Sequence, residues 1–245
     1  MLRTTALAAL AAACLASTAG AQTVSGLRDL SFDVGLGAKY SPEYMGSDNL
    51  TASPWIILKN ADSDRDQPNG LSINPSLNYV SKRNAADYDD LHGMDDIGYA
   101  GEFGFKLSWR EGDMTSYGAV RKGFGGHHGV VGEVGAKYRY EYNDKLTLWT
   151  GGELGLGSDD FTQTYFGVTA DESASSGKNT FTPEGGAYIA RLTLEARYEF
   201  MPDTSIMGRV TYGRLLGDAG DSPLVQTRNQ PSVSIGLARR LNFRF

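Results

Sequence analysis

A chain of 245 residues that is 40% hydrophobic, 11% aromatic and 21% charged is too aromatic for intrinsic disorder and too polar for a bundle of membrane helices. Its formal net charge of −6 excludes the basic surface that nucleic-acid binding requires. Glycine is the outlier, with 31 residues against 8 prolines, so turns are plentiful but not rigid.

The first element is an export signal over residues 1–21. Met1-Leu2-Arg3 carries one positive charge, an apolar run covers Ala6 to Ala16, and Ala19-Gly20-Ala21 has the small-x-small form of a cleavage site. A membrane anchor needs about 20 apolar residues, more than this run supplies. Ala11-Ala12-Ala13-Cys14 competes as a lipoprotein box, but the apolar stretch before Cys14 is short and lacks the usual leucine. The folded body is therefore expected to be residues 22–245, without a cysteine to form a disulfide.

Beyond the signal the longest uncharged stretch, Gln67 to Ser81, has 15 residues, too few for a membrane-spanning helix. What recurs is alternation at period two. Phe32–Tyr40 and Leu71–Val80 show it first. In Ile97–Arg110 the odd positions Ile97, Tyr99, Phe103, Phe105, Leu107 and Trp109 oppose Glu102, Lys106, Ser108 and Arg110. Val130–Tyr142 sets Val134, Ala136, Tyr138 and Tyr140 against Glu133, Lys137, Arg139 and Glu141. Leu146–Gly157 follows, and Ala187–Phe200 sets Leu192, Leu194, Tyr198 and Phe200 against Arg191, Glu195, Arg197 and Glu199. Neighbouring side chains on a strand point to opposite faces, so each segment has one oily and one charged face.

A soluble sandwich or barrel would turn the oily face inward, whereas a transmembrane barrel turns it to lipid around a wet lumen. The segments are about 10–14 residues long against about 5–6 in soluble proteins. Aromatic residues gather at their ends (Trp109, Tyr140, Tyr142, Tyr198, Phe200), as belts at a bilayer interface do. The reading is all-β: a closed antiparallel transmembrane β-barrel. Short polar links at Arg110–Asp113, Tyr142–Lys145 and Phe200–Asp203 alternate with long ones at 41–49, 81–96, 124–129, 158–186 and 216–231. That alternation predicts ten strands, over 31–40, 50–59, 71–81, 97–110, 114–123, 129–142, 146–157, 187–200, 203–215 and 232–245. The segment 158–186 is open: a hairpin from Phe161–Val168 and Asn179–Thr182 would make twelve strands, and the alternative is a segment folded into the lumen. Arg239 falls on the oily face of the last strand, to be relieved by a bulge or by a place at the rim. The lumen-facing charges are expected to be Glu102, Lys106, Glu133, Lys137, Arg139, Glu153, Arg191, Glu195 and Arg197. The C-terminal Leu241-Asn-Phe243-Arg-Phe245 closes an alternating strand on an aromatic, similar to the signal read by outer-membrane assembly machinery.

Three stretches carry a family resemblance. Val34–Tyr40 leads into Pro42-Glu-Tyr44-Met-Gly46-Ser-Asp48. Tyr165-Phe166-Gly167-Val168-Thr169 is followed by Ser176-Gly177, and Leu215-Leu-Gly217-Asp218-Ala-Gly-Asp221-Ser222-Pro223 comes last. In this order they resemble the MipA/OmpV family, the MltA-interacting proteins of Gram-negative outer membranes, over nearly all of residues 22–245. Gly220 and Lys178 depart from the family pattern without disturbing it. The resemblance implies an outer-membrane location and a non-enzymatic scaffold. Its expected partners are membrane lipid, a lytic transglycosylase and a penicillin-binding protein, and the chain is expected to be a monomer. The motifs themselves read as conformational: Pro42 and Gly46 turn the chain, and the Asp218 and Asp221 carboxylates can accept backbone N–H bonds.

Catalytic chemistry is thin. Only His92, His127 and His128 are present, all in predicted links, and an exposed pair in a Gly-rich loop reads as solvated rather than metal-bound. Asp62-x-Asp64-x-Asp66 opens like a calcium loop, but Gly70 stands at the wrong offset and Ile73 where a bidentate Glu is needed. The acidic run Asp87–Asp96 reads as a solvated loop. No cofactor, metal or catalytic site is therefore expected. The alternatives to a scaffold are a narrow pore for small solutes in osmoregulation, which the crowded lumen disfavours, and an outer-membrane hydrolase, which needs a His beside a Ser in space.

Overall fold

The computed structural model describes residues 30–60 and 69–243. The export signal, Cys14, the Asp62/Asp64/Asp66 triplet and the terminal Phe245 lie outside the described residues. Residues 31–241 belong to one body.

Ten antiparallel strands form a single sheet among the described residues: β1 (Leu30–Pro42), β2 (Leu50–Asn60), β3 (Gly70–Val80), β4 (Ala100–Glu111), β5 (Met114–Gly125), β6 (Val130–Glu141), β7 (Leu146–Gly157), β8 (Gly186–Met201), β9 (Thr204–Leu215) and β10 (Asn229–Phe243). They lie in the order β2-β1-β10-β9-β8-β7-β6-β5-β4-β3. The two strands at the ends of that order each carry a proline, Pro54 and Pro75, which cannot donate to a ladder. The sheet is curled. Lys59 on β2 bonds Glu195 on β8 at 2.8 Å, although four strand steps separate them, about 19 Å on a flat sheet.

The alternation decides the faces. Phe103 is 50% exposed and Leu194 52%, as are Leu36, Ile56, Leu71, Ile73, Val210 and Ile235 in similar measure, whereas Asp33, Glu102, Arg121, Glu195 and Arg197 are buried. The competing soluble barrel does not fit, because it would bury the leucines and expose the charges. Consecutive antiparallel strands put alternate links at opposite ends. Exposed Trp109, Tyr140, Tyr142, Tyr198 and Phe200 ring the short-turn end, while Tyr40, Tyr79, Tyr99, Phe124 and Tyr212 ring the long-link end. Tyr99, immediately before β4, and Trp109, near its far end, stand ten residues apart and bracket an apolar band about 25 Å tall at ordinary barrel tilt. No described helix is long and apolar enough to cross a membrane.

The short turns follow local chemistry. Pro202 precedes Asp203, whose φ of 57° is left-handed, and the two reverse the chain between β8 and β9. The Asn143 Oδ1 accepts the N–H groups of Lys145 and Leu146, both at 2.9 Å, and so closes the β6–β7 turn.

The segment 158–186 contains no hairpin in the wall, so this link does not supply an eleventh and a twelfth strand. It holds α1 (Asp159–Phe166) and α2 (Ala170–Ser176), with one isolated bridge from Val168 to Phe181. Asp159 and Asp160 suit a helix N-terminus, and Thr169 with Glu172 forms a reciprocal capping box at α2, which ends on Gly177 at φ 75°. These caps are local signals that outcompete strand formation. A third helix, α3 (Gly217–Asp221), opens the last long link. Arg239 is exposed opposite Thr204, beside the Pro202-Asp203 turn, and the β9–β10 register runs without a bulge. The rim, not a bulge, accommodates its charge.

Candidate functional site: a paired interior beneath a loop assembly

On the buried face, ions are interlocked across strands. Arg121 on β5 donates from Nε to Glu102 Oε2 (2.9 Å) and from Nη1 to Ser76 Oγ and Glu133 Oε2 (both 3.1 Å), while its Nη2 also pairs with Glu133. Asn78 adds a further bond to Glu102 at 3.0 Å. Glu153 accepts from the Tyr117 hydroxyl and from Arg191, each at 2.8 Å, and Lys106 lies 3.8 Å over the Tyr117 ring. Glu195 accepts from Lys59 (2.8 Å) and from both Nε (2.8 Å) and Nη2 (2.6 Å) of Arg209. Arg240 holds Asp33 by two 3.0 Å bonds, and Arg197 pairs with Glu199 at 3.0 Å and approaches Asp33 at 3.5 Å. Arg139 pairs with Glu141 at 2.7 Å and reaches Asp113 at 3.7 Å.

Of the nine charges expected inside, Glu102, Glu195 and Arg197 are buried, and Lys106, Glu133, Lys137, Arg139, Glu153 and Arg191 are half-buried. Sequence reasoning missed five partners: Asp33, Lys59, Arg121, Arg209 and Arg240. The signal was available. Asp33 opposes the parity of Val34 and Leu36, and Arg121 shares that of Tyr117 and Ala119, on a strand whose weak alternation hid it.

Above this interior the three sequence motifs, far apart in the chain, meet at the long-link end. Tyr44, Val168 and Leu224 share one buried cluster with Ala85, Leu91 and Met94. The Ser222 hydroxyl donates to the Phe166 carbonyl at 2.6 Å, and the Gly46 carbonyl accepts from Gln226 (2.8 Å) and Thr227 (3.0 Å). Gly46 sits at φ 105°, and an added Cβ there would press into Val225, so both conformation and packing demand glycine. Pro42 ends β1, and Gly167 follows α1 directly, while Gly217 starts α3 at φ 50°. Asp218 Oδ2 accepts the Glu184 N–H at 2.9 Å, whereas Asp221 pairs with Arg228 instead of a backbone N–H. Pro223 is half-buried, Asp48 is exposed, and the Ser176 hydroxyl accepts the Lys178 N–H at 3.2 Å. Burial pushes the Tyr44 phenol up to about 12, aided by nearby Asp90.

The acidic run is structured rather than merely solvated. Asp96 caps Ala85 N–H at 2.7 Å, and Glu172 of α2 accepts the Asp95 N–H at 3.1 Å. Burial would raise the Glu172 carboxyl, but hydrogen bonds from Thr169 and Asp95 outweigh it and hold the group below its ordinary value. Among the described residues no three His, Cys, Asp or Glu are gathered as for a metal.

His127 corrects the solvated pair. It is buried, its Nε2 lies 3.3 Å from Glu102 Oε1, and its ring meets Phe161 and Tyr165 of α1 edge-on at 5.3 and 5.6 Å. Gly123 makes the room, since a Cβ there would collide with the imidazole. Through Phe161, Tyr165 and Phe166, α1 packs on the inward side chains Val131 and Tyr188. Burial lowers the His127 pKa, with Glu102 pulling the other way. His128 next to it is exposed, as is His92. No sequence signal separated the two adjacent histidines, because a loop has no parity to read.

Residues 34–241 match the family model described as MltA-interacting protein MipA. The MltA-interacting proteins of Escherichia coli (strain K12) and Shigella flexneri are each 32% identical over 129 residues, 51% of this chain and 51% of theirs. The chain thus spans about half the length of the curated relatives it matches. Among solved structures it is similar to the NanC porin (TM-score 0.43, 13% identity, 86% of this chain and 100% of that one). It is also similar to the outer membrane protein OprG from Pseudomonas aeruginosa (TM-score 0.27, 8% identity, 90% of this chain and 98% of that one). Both likenesses are too loose to carry an argument.

Proposed function

The chain belongs to the MipA family of MltA-interacting proteins and resides in the outer membrane; from that premise we propose that it is a monomeric, non-enzymatic scaffold linking this membrane to peptidoglycan-remodelling enzymes. In this reading the sheet closes through β2 and β3 into a barrel whose oily face meets lipid. The relatives' name supplies one partner, the lytic transglycosylase MltA, and the family resemblance a second, a penicillin-binding protein.

The observation that carries the reading is the packed loop assembly over a salt-bridged interior. Interlocked interior ion pairs, one of them reaching from β2 to β8, leave little room for free conduction, so the outer surfaces are what a partner can use. The short turns, at Gly112-Asp113, Tyr142–Lys145 and Pro202-Asp203, face the periplasm in this orientation. Photocrosslinkers placed at Asp144 and Asp203 in living cells test it: capture of a lytic transglycosylase and a penicillin-binding protein is expected. Reproducible single-channel steps in a planar bilayer, with no such capture, would instead favour the narrow pore.

A further inference from the structure

Beneath the loop assembly lies a cavity of about 290 Å³ whose wall is unbalanced in charge. That volume stands at the lower end of small-molecule sites, about 300–1,000 Å³. Four cations line it, Lys39, Lys82, Arg83 and Arg191, against one carboxylate, Glu43.

Arg83 is the informative one. Its residue is only 8% exposed, so a full positive charge is taken out of water. Its Nη1 donates to the Tyr165 carbonyl at 3.0 Å, its Nε is buried without a partner, and no carboxylate lies within ion-pair distance among the described residues. Elsewhere in the interior the buried arginines Arg121 and Arg197 are matched by carboxylates. Tyr165, on the same wall and 4% exposed, has a hydroxyl that is likewise buried and unpartnered. Lys39, half-buried on β1, makes no hydrogen bond or ion pair among the described residues, while Arg191 has Glu153 for one of its nitrogens. Buried polar groups are almost always satisfied, and a buried guanidinium wants a planar anion.

We propose that this cavity is a binding site for a small organic anion, whose carboxylate or phosphate group is held by Arg83 and Lys39. The rings of Tyr44, Tyr88 and Tyr165 supply the remaining wall for its carbon skeleton. The site does not depend on the scaffold reading.

Calorimetric titration of the full chain, folded in detergent, decides it. Glucose 6-phosphate and glucuronate are expected to bind, with neutral glucose and cationic glucosamine at least about tenfold weaker, the worth of one charge-assisted bond. Lys39→Gln, which removes no hydrogen bond or ion pair among the described residues, and Arg83→Gln are each expected to weaken the two anions about tenfold. Added salt should weaken them further. Displacement of glucose 6-phosphate by lipid A micelles assigns the natural phosphate to an envelope lipid, and failure to displace assigns it to a soluble solute. Equal binding of glucose and glucose 6-phosphate, or a folded Lys39→Gln that binds both anions like the parent, overturns the proposal.

Discussion

The hydroxyl of Ser222 donates to the main-chain carbonyl of Phe166 at 2.6 Å and accepts the N–H of Leu224 at 3.1 Å, tying the end of α1 to the link after α3 across 56 residues of sequence. Both groups are buried, so neither bond can be replaced by water. Ser222→Ala is expected to lower stability by about 1–3 kcal/mol, the cost of leaving a buried acceptor and donor unpaired. Thermal unfolding in detergent measures it. Because the bond joins two long links and no strands, accessibility of Phe166 and Leu224 to limited proteolysis should rise before the sheet melts.

Arg121 holds two carboxylates from neighbouring strands. Its replacement by methionine leaves Glu102 and Glu133 facing each other in a poorly hydrated place, and a loss of about 3–5 kcal/mol is expected. The triple variant Arg121→Met, Glu102→Gln, Glu133→Gln should recover most of it, because the uncompensated charges are gone. Urea-dependent folding into lipid vesicles, followed by electrophoretic mobility, compares the two. Equal destabilisation would mean the ions contribute only volume.

His127 makes stability depend on pH with a definite sign. Its folded pKa is lowered by burial, so the unfolded chain takes up a proton first, at its ordinary value of about 6.5. Stability is therefore highest above that value and falls as the pH drops through it toward the depressed folded pKa. Melting temperatures taken from pH 7.5 to 5 should decline, and His127→Gln should flatten that decline. The Glu172 contribution lies lower. Its folded pKa is depressed, so its stabilisation is present above the unfolded value of about 4.5 and disappears as pH falls through the folded one. Glu172→Gln should lower stability by a constant amount above that value and remove the pH dependence below it.

The lipid-facing surface can be tested by moving one charge. Arg239 already stands exposed at the rim, opposite Thr204, and Arg239→Leu should leave stability nearly unchanged. Ile235 is 61% exposed in the middle of the same strand, opposite Gly208. Ile235→Arg should cost about 2–4 kcal/mol in a bilayer, as a cation near the midplane does. Reversible folding into vesicles reads both variants. A harmless Ile235→Arg would mean that this face meets water.

Strand positions were legible because the pleat has a period of two, and a charged residue on the wrong parity is too costly to hide. Ten of the segments read from alternation and turn residues coincide with strands to within a few residues, including the weakly alternating β5. The buried face was legible for the same reason, and Asp33 and Arg121 could have been added by parity alone. Pairing was not legible. That Glu195 meets Lys59, or Arg240 meets Asp33, follows from how far the sheet curls, which no local pattern encodes.

The links resisted sequence reading for a different reason. Alternation is absent there, so Phe161–Val168, apolar enough for a strand, is open until its acidic first turn and its packing on Tyr188 are weighed together. The sequence by itself determined which residues face oil and which face charge, because the covalent geometry of an extended chain imposes that division. Only the tertiary structure decided which of two adjacent histidines is buried, which motifs meet, and that the buried Arg83 has no carboxylate within ion-pair distance among the described residues. Those outcomes depend on contacts between residues far apart in the chain, and their energies exist only once the sheet has brought them within reach.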